Sequence, residues 1–231
     1  MLKRYYRAGA GALARIIVVG NKRLGNILSE WTFIDEVAAG TPTPGGGAAA
    51  AYVGALGSAL NSMVGNLTVG KKSYADVEDQ VKECLSQLQQ VREELLALSK
   101  KDSEAFAPLA ACFKMPRATE EEKAQRTKAM QKALIDAIEV PLSIMKACAR
   151  VIDLSDFMAH NGSKMALSDV ATGVSFAKGA LKGAALNIFV NAKMLEDREL
   201  AKRYTDETEC LIIEWGKRAD DIYVFVLEGL R

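Results

Sequence analysis

Between Val37 and Gly70 the chain carries no charged side chain, and Gly47, Ala51, Gly54, Ser58, Asn61 and Gly65 recur there at three- and four-residue spacing. Residues at that spacing share one face of a helix. A helix faced with groups this small lets a neighbouring backbone lie unusually close, which suits the centre of a packed bundle. The stretch is rich in Gly, Ala, Ser, Thr and Asn and too weakly hydrophobic to read as a membrane span. Ahead of it, Thr41-Pro42-Thr43-Pro44-Gly45-Gly46-Gly47 cannot be helical through its prolines. It reads as a rigid turn feeding a helix from Ala48 to Val69.

The remaining periodicity is also helical. A short helix is expected from Ser29, its cap, to Ala39, ended by Gly40. From Tyr74 to Phe113, Val81, Leu88, Leu95, Asp102 and Leu109 repeat every seven residues on one face. Met115-Pro116 breaks that run, and Thr119 with Glu122 makes a capping box. The helix it opens is expected to reach Phe157 with a bend near Pro141. Two more are expected, from Ser163 to Leu195 and from Glu199 to Leu230. Only 6% of the 231 residues are aromatic and five are proline, which favours long, closely packed helices. The expected fold is all-α, an up-and-down bundle of long antiparallel helices with no sheet, formed by residues 29–231. Residues 1–28 are set aside as an N-terminal extension. There Lys3, Arg4 and Arg7 precede an apolar run from Ala8 to Val19, an imitation of a secretory signal that Arg15 interrupts. A cytoplasmic location is expected.

A net charge of +1 argues against a nucleic-acid partner, because a phosphate backbone calls for clustered Lys and Arg. Cys84, Cys112, Cys148 and Cys210 form no CxxC pair and read as small buried hydrophobes. The single histidine, His160, cannot build a metal site alone. HExxH, GxSxG and Cys/His nucleophile arrangements are absent.

Three groups of residues remain. The Gly45-Gly46-Gly47 turn offers free N–H groups and the positive end of a helix dipole to an anion or a carbonyl-rich ring, unless it serves tight packing alone. Asp102, on an apolar stripe, is costly to bury unpaired, so it needs a partner, a wet cavity or a proton. A carboxyl shifted in that way suits general acid/base work, whereas a pair with a neighbouring Lys would make it structural. Asp169, beside Ser168, is weighed in the same terms. Third, Asn66 and Tyr74 bracket Lys71 and Lys72, two cations that a carboxylate-bearing ligand would use and that water would otherwise solvate.

Longer strings carry a resemblance. PTPGGGAAAAYVGALGSALNSMVGNLTVGKKSYADVE, from Pro42 to Glu78, resembles the opening of the folate cyclodeaminase/cyclohydrolase family, the C-terminal half of formiminotransferase-cyclodeaminase. KKDSEAF (Lys100 to Phe106), GSKMALSDVATGV (Gly162 to Val174) and ALKGAALNIFVNAKML (Ala180 to Leu195) follow in the family's order. Ser163 and Met165 stand where many relatives have asparagine. The resemblance implies a free-standing homodimer of helical subunits that acts on tetrahydrofolate derivatives without metal or other cofactor and has neither a nucleic-acid nor a membrane partner. It implies acid/base and electrostatic roles for Asp102 and Asp169. Asn66 and Ser168 would orient substrate polar groups, Lys71, Lys72 and Tyr74 would hold the glutamate tail or pterin, and Gly45 to Gly47 would allow close backbone approach. The leading reaction converts 5-formiminotetrahydrofolate to 5,10-methenyltetrahydrofolate and ammonia. Hydrolysis of the methenyl compound to 10-formyltetrahydrofolate is the alternative, and a non-catalytic folate-binding scaffold the third.

Overall fold

A computed structural model describes residues 32–231, which are helical throughout apart from short connections, with no strand among them. The described backbone divides after Pro44 into two units, residues 32–44 falling in one and Gly45–Arg231 forming the other. In the first, residues 32–38 are helical and Thr41 Oγ1 donates to the Thr43 carbonyl at 3.0 Å. The expected Ser29 cap and the signal-like N-terminus lie outside the described residues.

The second unit holds five long helices: α1 (Gly46–Asn66), α2 (Glu78–Phe113), α3 (Glu120–Asn161), α4 (Leu167–Ala192) and α5 (Arg198–Gly229). They alternate in direction, as the all-α up-and-down expectation requires. Along α1, Gly54 meets Leu95 of α2 and Gly65 meets Leu85, so the two run antiparallel. Gly57 meets Gly173 of α4 and Gly46 lies nearest Asn187, again antiparallel. Cys148 and Met158 of α3 reach Gly54 and Gly65 of α1 in the same order, so α3 runs parallel to α1 behind it. Its Leu134, Ile138, Ile144, Met145, Ile152 and Met158 are fully enclosed and form the middle of the core. No helix among the described residues is long and apolar enough to cross a membrane.

The small-residue face of α1 is buried along its whole length, at Gly47, Ala51, Gly54, Ser58, Asn61 and Gly65. A Cβ on Gly57 would lie 2.6 Å from the Gly173 carbonyl, and one on Gly173 2.9 Å from the Gly57 carbonyl. The two backbones are therefore in direct contact. Val81, Leu88, Leu95 and Leu109 are buried as their heptad spacing predicts, and the capping box of Thr119 and Glu122 is formed.

Several boundaries differ from the sequence reading. Helix α1 starts at Gly46 and ends at Asn66, so packing outweighs the poor helix propensity of two glycines. The helix expected from Tyr74 is delayed by a 3₁₀ turn, Lys72–Val77, in which Tyr74 leaves helical geometry at φ −125°, ψ 15°. A second 3₁₀ turn, Lys164–Ala166, precedes α4. Helix α3 passes through Pro141 and α2 through Pro108. Cys84, Cys112 and Cys148 are buried as expected, but Cys210 is exposed. Burial pushes the Cys84 and Cys148 thiols up to about 12, which keeps them protonated and unreactive.

The Gly57 contact sets a stability test. Gly57→Ala should cost about 1–3 kcal/mol by forcing α1 and α4 apart. Gly216→Ala, where nothing lies within 4 Å of the new methyl, should stabilise by up to about 1 kcal/mol. Urea unfolding measures both, and equal effects would show that α1 and α4 are not in contact as described.

Candidate functional site

The first turn of α1 is the start of one site. Gly45 precedes the helix in extended geometry and offers no side-chain cap. The N–H groups of Gly46, Gly47 and Ala48 consequently have no partner within the helix. One of them, Ala48 N–H, faces the carboxylate of Asp102 on α2 and favours its charged form. The contact is tight enough that a Cβ on Gly47 would fall inside the carboxyl group, 2.6 Å from its Cγ. Any side chain at position 47 would evict Asp102. Three residues back on α2, buried Ser99 donates from Oγ to the Ala48 carbonyl at 2.9 Å. From α4, the Asn187 amide stands 4.0 Å from the Cβ position of Gly46. It makes only a long bond of 3.4 Å to the Gly183 carbonyl of its own helix.

Asp102 is half-buried, and among the described residues no Lys or Arg pairs with it, so the structural ion pair weighed for it is not formed. Burial pushes its carboxyl above the ordinary aspartate range, and the Ala48 N–H offsets part of the rise. The result is a half-buried acid beside the backbone donors of the first turn of α1.

The remaining expected residues gather at the other end of α1. Asn66 is its last residue and is exposed, as are Lys71 and Lys72. Gly70 turns the chain with φ +78°. Lys71 Nζ donates to Ser163 Oγ at 3.0 Å, and the Ser163 N–H donates to Thr68 Oγ1 at 2.8 Å. Tyr74 accepts through its hydroxyl from the Lys164 N–H at 3.0 Å. These bonds tie the chain after α1 to the chain before α4. Ser168, exposed, and Asp169, half-buried, lie in the first turn of α4 that follows. Ser168 does not bond Asp169; its carbonyl accepts from Thr172. Ser168 also borders a cavity of about 330 Å³ between α4 and α5, with Thr172, Ser175, Tyr223 and Leu227.

Within one chain, then, Asp102 meets Gly47 at the first turn of α1, whereas Asn66, Lys71, Lys72 and Tyr74 lie at and after its last turn and Ser168 and Asp169 open α4. The two sets lie toward opposite ends of α1, whose 21 residues span about 30 Å. Asp169, one turn before Gly173, lies past Gly57 toward the far end. Ser99, Asn187 and Lys164 lie beside these residues without having been proposed as site residues. Asn187 shares a helical face with Asp169 and Gly173 at three- and four-residue spacing, which is a usable signal. Nothing in the sequence marks Ser99. His160 stacks on Phe225 of α5, ring centroids 4.2 Å apart. Among the described residues no three His, Cys, Asp or Glu side chains are placed to hold a metal ion.

The fold and the first cluster define a class: a helical bundle with a desolvated carboxyl group at a helix N-terminus, suited to proton transfer. Residues 31–210 match the family model described as formiminotransferase-cyclodeaminase, and the chain belongs to that family. It is 43% identical over 192 residues to the methenyltetrahydrofolate cyclohydrolase of Methylorubrum extorquens, covering 83% of this chain and 92% of that protein. It is 30% identical to the formimidoyltransferase-cyclodeaminase of Gallus gallus over 85% of this chain but spans only 36% of that longer protein. The crystal structure of formiminotetrahydrofolate cyclodeaminase from Thermotoga maritima superposes with a TM-score of 0.72 at 29% identity, covering 86% of this chain and 93% of that one.

The raised pKa of Asp102 has a stability consequence with a definite sign. An acid whose folded pKa is raised favours the folded state fully at low pH and loses that contribution as pH rises through the folded value. Asp102→Asn keeps an acceptor for Ala48 N–H without the buried charge. Its thermal midpoint should therefore gain on wild type as pH rises from about 4 towards neutrality, then hold level. A variant that loses ground over the same interval would show that the carboxylate is stabilised where it sits.

Proposed function

We propose that this chain is a methenyltetrahydrofolate cyclohydrolase, opening the bridge of 5,10-methenyltetrahydrofolate with water to give 10-formyltetrahydrofolate. The observation that carries the reading is the likeness to the Methylorubrum enzyme, which runs through 92% of that protein. This reverses the order of the two reactions expected from the sequence. The cyclodeaminase reading is favoured by the Thermotoga structure, which this chain also matches over nearly its full length.

The site chemistry suits hydrolysis. The bridge carbon is already cationic, so attack by water needs a base and a nearby negative charge rather than a Lewis acid, and the reading invokes no metal or cofactor. Asp102 as carboxylate takes a proton from the attacking water while the C–O bond forms. The C–N5 bond then breaks as N5 gains a proton and the carbinol hydroxyl loses one, leaving one proton for solvent. A carboxyl raised above the ordinary range is a stronger base than a solvated aspartate, and its charge supports the cationic carbon. The Gly46 and Gly47 N–H groups offer donors to the emerging formyl oxygen or a pterin carbonyl. Asp169 supplies the second carboxylate, with Asn66 and Ser168 orienting polar groups of the substrate. Lys71, Lys72 and Tyr74 suit the glutamate tail or the pterin.

A homodimer reconciles these roles with the spacing of the two clusters. Helices α1 and α4 lie side by side, and both expose apolar side chains: Leu56 and Met63 on α1, with Leu67 just after it, and Leu186 (65% exposed) and Val190 (64%) on α4. A two-fold axis through that face would bring the Asp102 end of one copy to the Asp169 end of the other.

Incubation with each substrate tests the reaction. The methenyl absorbance should decay to the formyl product, whereas ammonia release from the formimino compound without that decay would make the chain a cyclodeaminase. Asp102→Asn and Asp169→Asn should each slow turnover about 100-fold or more. Unfolded and refolded together, the two inactive variants should regain about a quarter of the wild-type rate, because half the dimers are mixed and each of those has one intact shared site. No regain would refute the shared site.

A further inference from the structure

We propose that Ser99 is a positioning residue for Asp102, seating the carboxylate on the first turn of α1 by holding the carbonyl of Ala48. The inference rests on the acid/base reading of Asp102 given above.

The argument starts from what hydroxyls do elsewhere in this bundle. Buried in a helix, Ser62, Ser155 and Thr208 bond back to their own helix four residues earlier. Such a bond satisfies the hydroxyl without reference to any neighbour. Ser58 and Ser99 depart from that habit, and both bridge α1 and α2. Ser58 donates to the Leu88 carbonyl at 2.6 Å, and Ser99 to the Ala48 carbonyl at 2.9 Å. Neither bond is needed to rescue its acceptor, because a carbonyl inside a helix already has an N–H from four residues on.

What distinguishes Ser99 is its place. It lies three residues before Asp102, on the same face of α2. Its acceptor is the carbonyl of the residue whose N–H faces Asp102. Helix α2 thus meets Ala48 at both of its backbone polar groups, bonding the carbonyl through Ser99 and setting Asp102 opposite the N–H. The Ser99 bond fixes where α2 stands along α1 at the level where the carboxyl group occupies the space beside the Gly47 Cα. Without Ser99, the Asp102 carboxylate still faces the Ala48 N–H but loses the anchor that sets its angle and its distance from the Gly46 and Gly47 donors.

Ser58 supplies the control, since it makes the same kind of bond between the same two helices, eleven residues or about 16 Å along α1 from Gly47. Ser99→Ala should lower kcat about 10- to 100-fold, as expected when a reacting group is misplaced by a fraction of an ångström to an ångström, with KM changed less than about twofold. Ser58→Ala should lose comparable thermal stability yet keep kcat within about twofold of wild type. Ser99→Cys, which fills the same space with a weaker donor, should show the Ser99→Ala pattern should the alanine variant fold poorly. Wild-type kcat in folded Ser99→Ala or Ser99→Cys would overturn the proposal, as would equal losses in Ser58→Ala and Ser99→Ala. Asp102→Asn is measured alongside: turnover at the wild-type rate there would overturn the acid/base reading and this inference with it, while an inactive Asp102→Asn beside an unaffected Ser99→Ala would overturn this inference alone.

Discussion

The contact on which the rest of this bundle depends is that of α1 with its two flanking helices. A helix of 21 residues with glycine, alanine and serine on its inner face has almost no side-chain volume to place between itself and its neighbours. Helix α4 therefore meets it backbone to backbone at Gly57 and Gly173, and α2 sends Leu95 and Leu85 into the space left by Gly54 and Gly65. Close packing of this kind cannot be adjusted by rotamer changes, because there are no rotamers to change. The register of all three helices is fixed as a consequence. That rigidity is what a site assembled from separate helices needs, since Asp102 and Asn187 reach the first turn of α1 from different elements.

At that first turn the demands of folding and chemistry pull against each other. A carboxyl group pressed against the Cα of Gly47 with a single backbone donor is a poor choice for stability, because burial disfavours its charge. It is a better choice for taking up a proton than a solvated carboxylate would be. The glycine at position 47 is required by the acid and not by the helix, whose propensity it lowers. The second cluster, at the far end of α1, is built differently: its cations are exposed, and Lys71, Ser163 and Thr68 form a chain of hydrogen bonds across a loop junction. One end suits reaction and the other suits recognition of a charged ligand.

Much of this could be read before any coordinates. The heptad stripe through Val81, Leu88, Leu95 and Leu109 placed α2 and singled out Asp102 as the one charged group on a buried face. The small-residue face placed α1 at the centre, and the Thr119 and Glu122 pair located the start of α3. The break at Tyr74 was not legible, since Lys72 to Val77 contains neither Gly nor Pro and the 3₁₀ turn is held by the Tyr74 bond to Lys164, a tertiary contact. Nor could Ser99 be found, because a helical serine bonds its own helix or the next one according to what the neighbour presents. Residue types showed which side chains were chemically apt; only the length of α1 showed that they form two clusters instead of one.

The central claim is that Asp102 is an acid held in a partly dry seat at the start of α1 where it meets the folate. The most direct measurement is the pH titration of its side-chain carboxyl carbon by NMR, assigned by its disappearance in Asp102→Asn and recorded with and without bound 10-formyltetrahydrofolate. The account predicts a midpoint above the value of about 3.9 for a solvated aspartate, and one that moves when the folate binds. A midpoint at or below that value, indifferent to the folate, would contradict it.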